Sequence, residues 1–257
     1  MDVVAENEDY AIMVREMYSY YKRVFGLELR EPRFTLKISN SMQEDTYFYS
    51  SEEQKLLMDK GEDIPDLNGS LIMPGNSDLN FVVLINERQF LDDQYIHTIH
   101  HEFTHLYDFY SYFIDFGLAS NHFLGIYYWS EYHAKRIGSY IYLKYAEEKY
   151  KVDGITLQYC TDRLIREING LRTGCLSFFQ VFMELMSYFG RLSVFQEDST
   201  LYPDPEFPKD LLSRTFGPDI FEIYALLLVM NDYENAKSRS EDFKDIIDRV
   251  LENIKHL

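Results

Sequence analysis

Four of the chain's seven histidines (His97, His100, His101 and His105) fall within nine residues, in the stretch IHTIHHEFTHLYDF at 96–109. A solvated helix face has no use for imidazoles at that density, whereas a metal site does. Within the stretch, His101-Glu102-Phe103-Thr104-His105 reads HExxH. On an α-helix, residues four apart lie about 6 Å apart along the axis and nearly on one face. His101 and His105 therefore aim two imidazoles at one point, as a zinc ion asks of its first two ligands. Glu102 stands about 100° round from His101, outside the ligand set yet within reach of a water on the ion. One helical turn thus supplies two ligands and a general base. Random placement yields such a pattern in roughly one or two chains per hundred of this composition. Here the pattern sits on a helix, after a hairpin, among apolar residues (Ile96, Ile99, Phe103, Leu106) that would bury it.

His97 lies one turn before His101 on the same face, which makes HxxxHxxxH a formal three-histidine alternative. Three ligands on one straight helix would span roughly 12 Å, too far to converge on one ion with bonds near about 2.1 Å. His97 is expected in a supporting or packing role, and His100 as a structural residue.

A catalytic zinc takes three protein ligands and keeps one position for water. The extended metzincin pattern would need Gly at 108 and His at 111, where this chain has Asp108 and Ser111. The downstream candidates are Asp108, Asp115, His122, Glu131, His133, Glu147 and Glu148. Asp108 is too far along the same helix to complete a tetrahedron but could orient a ligand imidazole from outside. Glu131, with room before it for a turn and a second helix, is the preferred third ligand, and His133 is its rival. Ser130 reads as the N-cap of that second helix, which would make Glu131 its opening residue, a position that also suits a plain dipole-favoured glutamate. Ala134 and Gly138, four apart, would let that helix approach closely.

The elements that must position these groups follow from periodicity and turn chemistry. Glu6–Phe25 has helical spacing (Ile12, Met13, Met17, Tyr20, Tyr21, Val24) and stops at Gly26. RFTLKIS (33–39) alternates after Pro32 and predicts a strand, DTYFYS (45–50) a further one, and Glu52–Lys60 a short helix. Ser70–Met73 and Leu79–Ile85 flank a Pro-Gly-Asn-Ser turn, a hairpin pattern. Asp92 and Asp93 cap a long helix, Gln94–Phe116, ended by Gly117. Beyond it the pattern is helical: Ser130 to about Tyr150, Ile155–Ile168, a nearly all-apolar and hence buried Cys175–Phe189, then Phe221–Met230 and an amphipathic Glu241–Ile254.

HExxH with a glutamate opening a later helix resembles the gluzincin group of zinc metallopeptidases. The compact spacing and the Glu131-x-x-Ala134 step look most like the ImmA/IrrE-type peptidases of bacteria and mobile elements. The resemblance covers about residues 69–145. It implies an α+β, zincin-like fold: a small, mostly antiparallel sheet packed on the HExxH helix, then a largely helical C-terminal half. The division would fall at 1–117 and 118–257, or the two halves would be one integrated domain. It also implies that an edge strand, here Gly69–Met73, holds a peptide substrate by β-augmentation. Thermolysin-like gluzincins carry an aspartate four residues after the third ligand to hold a histidine; this chain has Lys135 there. No supporting partner is therefore assigned.

The expected activity is hydrolysis of an internal peptide bond. His101, His105 and Glu131 would hold Zn²⁺, Glu102 would act as general base and then acid, and the oxyanion donor would come from among His122, Tyr127, Tyr128 and His133. The competing readings are a zincin-shaped binding or regulatory protein without turnover, and a helical protein with a chance motif. An intact Glu102 speaks against the first, since a purely structural ion needs no base.

The composition narrows the partners. A net charge of −18 without a basic patch argues against nucleic acid, and no basic run marks an anionic membrane surface. With 22 Tyr and 19 Phe, rings will fill the core and line any groove. Cys160 and Cys175 are too few for a disulfide framework and read as buried thiols. The longest apolar run, Ile223–Met230, is far short of the about 20 residues of a membrane span. No secretory leader is visible in MDVVAENEDYAIMV, so the cytoplasm is the expected location.

Overall fold

The computed structural model describes residues 1–25, 31–58, 67–75, 78–117, 123–149, 155–174, 176–197 and 208–254. The chain is α+β: a small four-stranded mixed sheet, and helix almost everywhere else among the described residues. It divides into two compact units, Met1–Ala119 and Ser120–Leu257.

The first unit runs β1 (Asp2–Val4), α1 (Glu8–Phe25), β2 (Phe34–Ser39), α2 (Met42–Tyr49), α3 (Glu52–Met58), β3 (Gly69–Ile72), β4 (Phe81–Asn86), a 3₁₀ turn (Glu87–Leu91) and α4 (Gln94–Phe116). The strands lie in the order β1-β2-β4-β3. β1 is parallel to β2, and β2 to β4, with Phe34 opposite Phe81 and Ser39 opposite Asn86. Among the described residues only β3 and β4 pair antiparallel, with Gly69 opposite Ile85 and Ile72 opposite Val82. The expectation of a mostly antiparallel sheet is thus corrected. The connections through α1, and through α2, α3 and β3, carry the chain back before the next strand starts, and such crossovers produce parallel pairs.

Alternation assigns the two faces of the sheet. Phe34, Leu36 and Ile38 of β2 and Phe81, Val83 and Ile85 of β4 are all buried on one face. Phe81 meets Tyr110 and Phe113 of α4, and Phe34 meets Phe103 of α4 and Tyr18 of α1. On the opposite face Ile72 and Leu84 pack with Met42 of α2, beside Tyr49 and Val82. Covered on both faces, β4 reads as an almost continuous apolar run.

The strand expected at Asp45–Ser50 is instead the second half of α2. Met42, Thr46 and Tyr49 recur at helical spacing toward the sheet, and the Ser50 N–H closes the end on the Thr46 carbonyl. The β3–β4 pairing fits the hairpin reading, although part of the turn lies outside the described residues, as does Gly26. α1 buries Ala11, Val14, Tyr18 and Tyr21, which leaves Ile12, Tyr20 and Val24 exposed. At the start of α4 the Gln94 N–H donates to Asp92 Oδ1. At its end Gly117, at φ +74°, donates its N–H to the Phe113 carbonyl.

The second unit is helical throughout its described residues: α5 (Phe123–Lys149), α6 (Ile155–Arg172), α7 (Phe178–Glu197), α8 (Lys209–Phe216), α9 (Asp219–Val229), α10 (Tyr233–Ser238) and α11 (Ser240–Ile254). α7 is the buried central helix, packed on α5 and α6, with Phe182, Leu185, Phe189 and Leu192 fully buried. Trp129 of α5 is also fully buried and donates its indole N–H to the Met230 carbonyl at 2.7 Å. The expected cap at Ser130 is corrected: α5 begins at Phe123, so FLGIYYW is its first two turns and buried Ser130 lies inside it. Cys175 and the Cys160 side chain lie outside the described residues. No helix among the described residues is long and apolar enough to cross a membrane.

Candidate metal centre

α4 presents its histidines as the spacing requires. His101 and His105 bring their Nε2 atoms to 3.0 Å, their rings perpendicular with centroids 4.5 Å apart. Two ligands on a tetrahedral ion with bonds near 2.1 Å would stand about 3.4 Å apart, so this pair, at 3.0 Å, fits an ion with a shift of a few tenths of an ångström. His97 stacks on His101 at 5.8 Å, and Phe109 stacks on His105 at 6.0 Å, which fixes both rings from outside the pair.

His100 turns away from them. Its Nδ1–H donates to the Ile96 carbonyl at 2.7 Å, among the rings of Tyr20, Tyr21 and Phe103. Burial lowers its pKa to about 4, the carbonyl bond opposing, so the ring is neutral and structural. Thr104 continues this inner face, donating to the His100 carbonyl and accepting from the Tyr21 hydroxyl.

Glu102 is buried, 5 % exposed, against the first residue of β3. A Cβ on Gly69 would fall 2.8 Å from Glu102 Oε1 and 2.8 Å from Thr98 Cγ2, so the absence of a side chain there makes the space for the carboxylate. A short relay pins this corner: Thr98 donates to Gln89 Oε1, Gln89 donates to Asn68 Oδ1, and the Asn86 N–H donates to the Asn68 carbonyl. In an antiparallel ladder the paired and unpaired residues alternate. With Asn68 bonded to Asn86, the backbone groups of Gly69 and Leu71 point away from β4, along the outer edge of the sheet.

Glu131 lies in α5, about two turns past its start. Its Oε1 accepts a 2.6 Å hydrogen bond from Ser187 Oγ of α7. The two helices pass closely here: a Cβ on Gly190 would lie 2.4 Å from the Tyr132 carbonyl oxygen and 3.0 Å from the Arg136 nitrogen. One turn before Ser187, Glu184 pairs with Arg163 at 2.9 Å. Burial raises the Glu184 pKa against the opposing pull of Arg163 and Lys135, with the Glu131 charge adding to the rise.

His101, His105 and Glu131 together form a group that could hold a metal ion. Each offers one ligand atom, all three atoms lie within 4.8 Å of one another, and each residue is partly buried. The rival His133 is outside this group and stacks on Trp129 at 4.8 Å. Asp108 and Asp115 of α4 are also outside it. His122 and the side chains of Glu147 and Glu148 lie outside the described residues. Tyr128 is packed into the core of the second unit against Phe179 and Phe182, and burial raises its pKa to about 12. Tyr127 meets Phe179.

Ser187 was not singled out by sequence reasoning, and Gly69 only as the start of the edge strand, without its contact with Glu102. A signal for Ser187 exists in hindsight: Ser187, Gly190 and Ser193 recur every three residues in an otherwise bulky helix, a small-residue stripe that marks close helix approach. Compared with protein-family models, curated proteins and solved structures, the chain matches none.

Proposed function

We propose that the chain is a zinc-dependent peptidase of zincin type, acting in the cytoplasm on an internal peptide bond of a protein or peptide. The observation that carries this is the facing pair of Nε2 atoms, 3.0 Å apart, with a buried carboxylate on the residue between them in sequence and Glu131 within ligand distance. Two imidazoles and a carboxylate are the donor set that suits zinc with one position left open. Bound there, zinc would acidify a water and polarise the scissile carbonyl.

The chain's own residues supply the rest. Gly69 and Leu71 offer backbone donors and acceptors to an extended peptide laid along β3. Strand pairing at Gly69 brings that peptide beside Glu102, because Glu102 lies against Gly69. Glu102 accepts a proton from the attacking water and delivers it to the departing amine, so the amide C–N bond breaks with no net change in the carboxylate.

The test is metal analysis and peptide hydrolysis on the full chain and on Glu102→Gln. About one zinc per chain in both proteins, with hydrolysis reduced by about 10²-fold or more in the variant, would support the proposal. Protein purified without chelator that holds no stoichiometric metal would overturn it. Zinc present with no hydrolysis of any peptide in a broad library would instead mark a binding protein.

A further inference from the structure

We infer that Ser187 is the positioning residue of the metal centre, holding Glu131 in the orientation that ligation requires; this inference rests on the metal reading above. A glutamate side chain on a helix has several rotamers open to it. Ligation needs one of them. Ser187 supplies the anchor by donating its hydroxyl to Oε1 at 2.6 Å, the short distance expected of a bond to a charged acceptor. A carboxylate has two oxygens with lone pairs in its plane, so a hydroxyl bonded at Oε1 is compatible with ligation by the same group.

The fold puts Ser187 there through backbone packing. Gly190, one turn on, meets the backbone of α5 itself, at the Tyr132 carbonyl and the Arg136 nitrogen. This crossing fixes the separation of α5 and α7 at the level of Glu131. Ser187 is buried at that separation. Groups that hold a metal ligand from outside typically change metal affinity by about 10–100-fold when removed.

The experiment is competition of a chromophoric chelator for zinc against four proteins: the wild type, Ser187→Ala, Glu131→Gln and the double variant. The visible spectrum of the cobalt(II) form serves as a second readout of ligand geometry. Ser187→Ala is expected to bind zinc about 10–100-fold more weakly and to shift the cobalt bands, with unchanged helical circular dichroism. In the Glu131→Gln background the serine substitution is expected to cause no further loss, because the carboxylate it serves is gone. Wild-type affinity and spectrum in Ser187→Ala would overturn the inference and leave the metal centre standing. Additive losses in the double variant would do the same. A wild type that binds no zinc would overturn the metal reading itself, and this inference with it.

Discussion

The backbone of Gly69 lies so close to the carboxylate of Glu102 that a methyl group on it would meet Oε1 at 2.8 Å and Cγ at 2.9 Å. The strand proposed to hold the substrate and the residue proposed to move its proton are therefore in contact. Gly69→Ala must push Glu102 or Thr98 aside. Misplacing a catalytic group by about 1 Å can cost about 10²-fold, so kcat/KM is expected to fall 10-fold or more while zinc content stays near one per chain. An unchanged kcat/KM would show that the carboxylate's position is not critical.

Binding of an ion to the folded state alone stabilises that state. At a free zinc concentration 100 times Kd the gain is about 2.7 kcal/mol, and a thermal melt of the wild type should rise with zinc and fall with chelator. His101→Ala removes one of the two facing nitrogens, so its melt is expected to be insensitive to both. A zinc-dependent shift that survives in His101→Ala would place the ion elsewhere.

Gly190→Ala tests the crossing of α5 and α7. Its Cβ would meet the Tyr132 carbonyl oxygen and the Arg136 nitrogen, both backbone atoms that no rotamer change can move. Overpacking of this kind costs about 1–3 kcal/mol or more, despite alanine's better helix propensity. Urea denaturation should show that loss. A neutral or stabilising result would mean that the helices separate freely there.

Glu184 gives a pH dependence whose sign can be worked out. Its folded pKa is raised, chiefly by burial and against the pull of Arg163. The folded state thus keeps this proton to higher pH than the unfolded chain does. The stabilising contribution is complete below the ordinary carboxylate pKa and is lost as pH climbs through the folded value. Relative to wild type, Glu184→Gln in chelator-treated protein should gain stability between pH 4 and pH 7. Denaturant midpoints at the two pH values check this, and a flat difference would contradict it.

The HExxH turn was legible because its geometry is local: three side chains on one turn depend only on the helix, and Asp92 and Gly117 mark both ends of it. Glu131 was legible as a residue type at a workable distance, but its setting was misread. Ser130 resembles a cap, yet the apolar FLGIYYW before it extends the helix upstream. Tyr47 and Phe48 gave Asp45–Ser50 the look of a strand, whereas both are exposed and the helix packs through Met42 and Thr46. Strand direction was not legible, since it depends on how α1, α2 and α3 return the chain. Ser187 is 56 residues from its partner, and no local pattern encodes that bond.

The strand order also dictates a timetable. β4 joins β2 to β3, and it is the last strand of the sheet to be made. Until residue 86 has left the ribosome, the nascent first unit has at most a short two-stranded parallel pair, too little to stand alone. During synthesis the apolar β2 therefore waits, open on its β4 side, until that strand emerges.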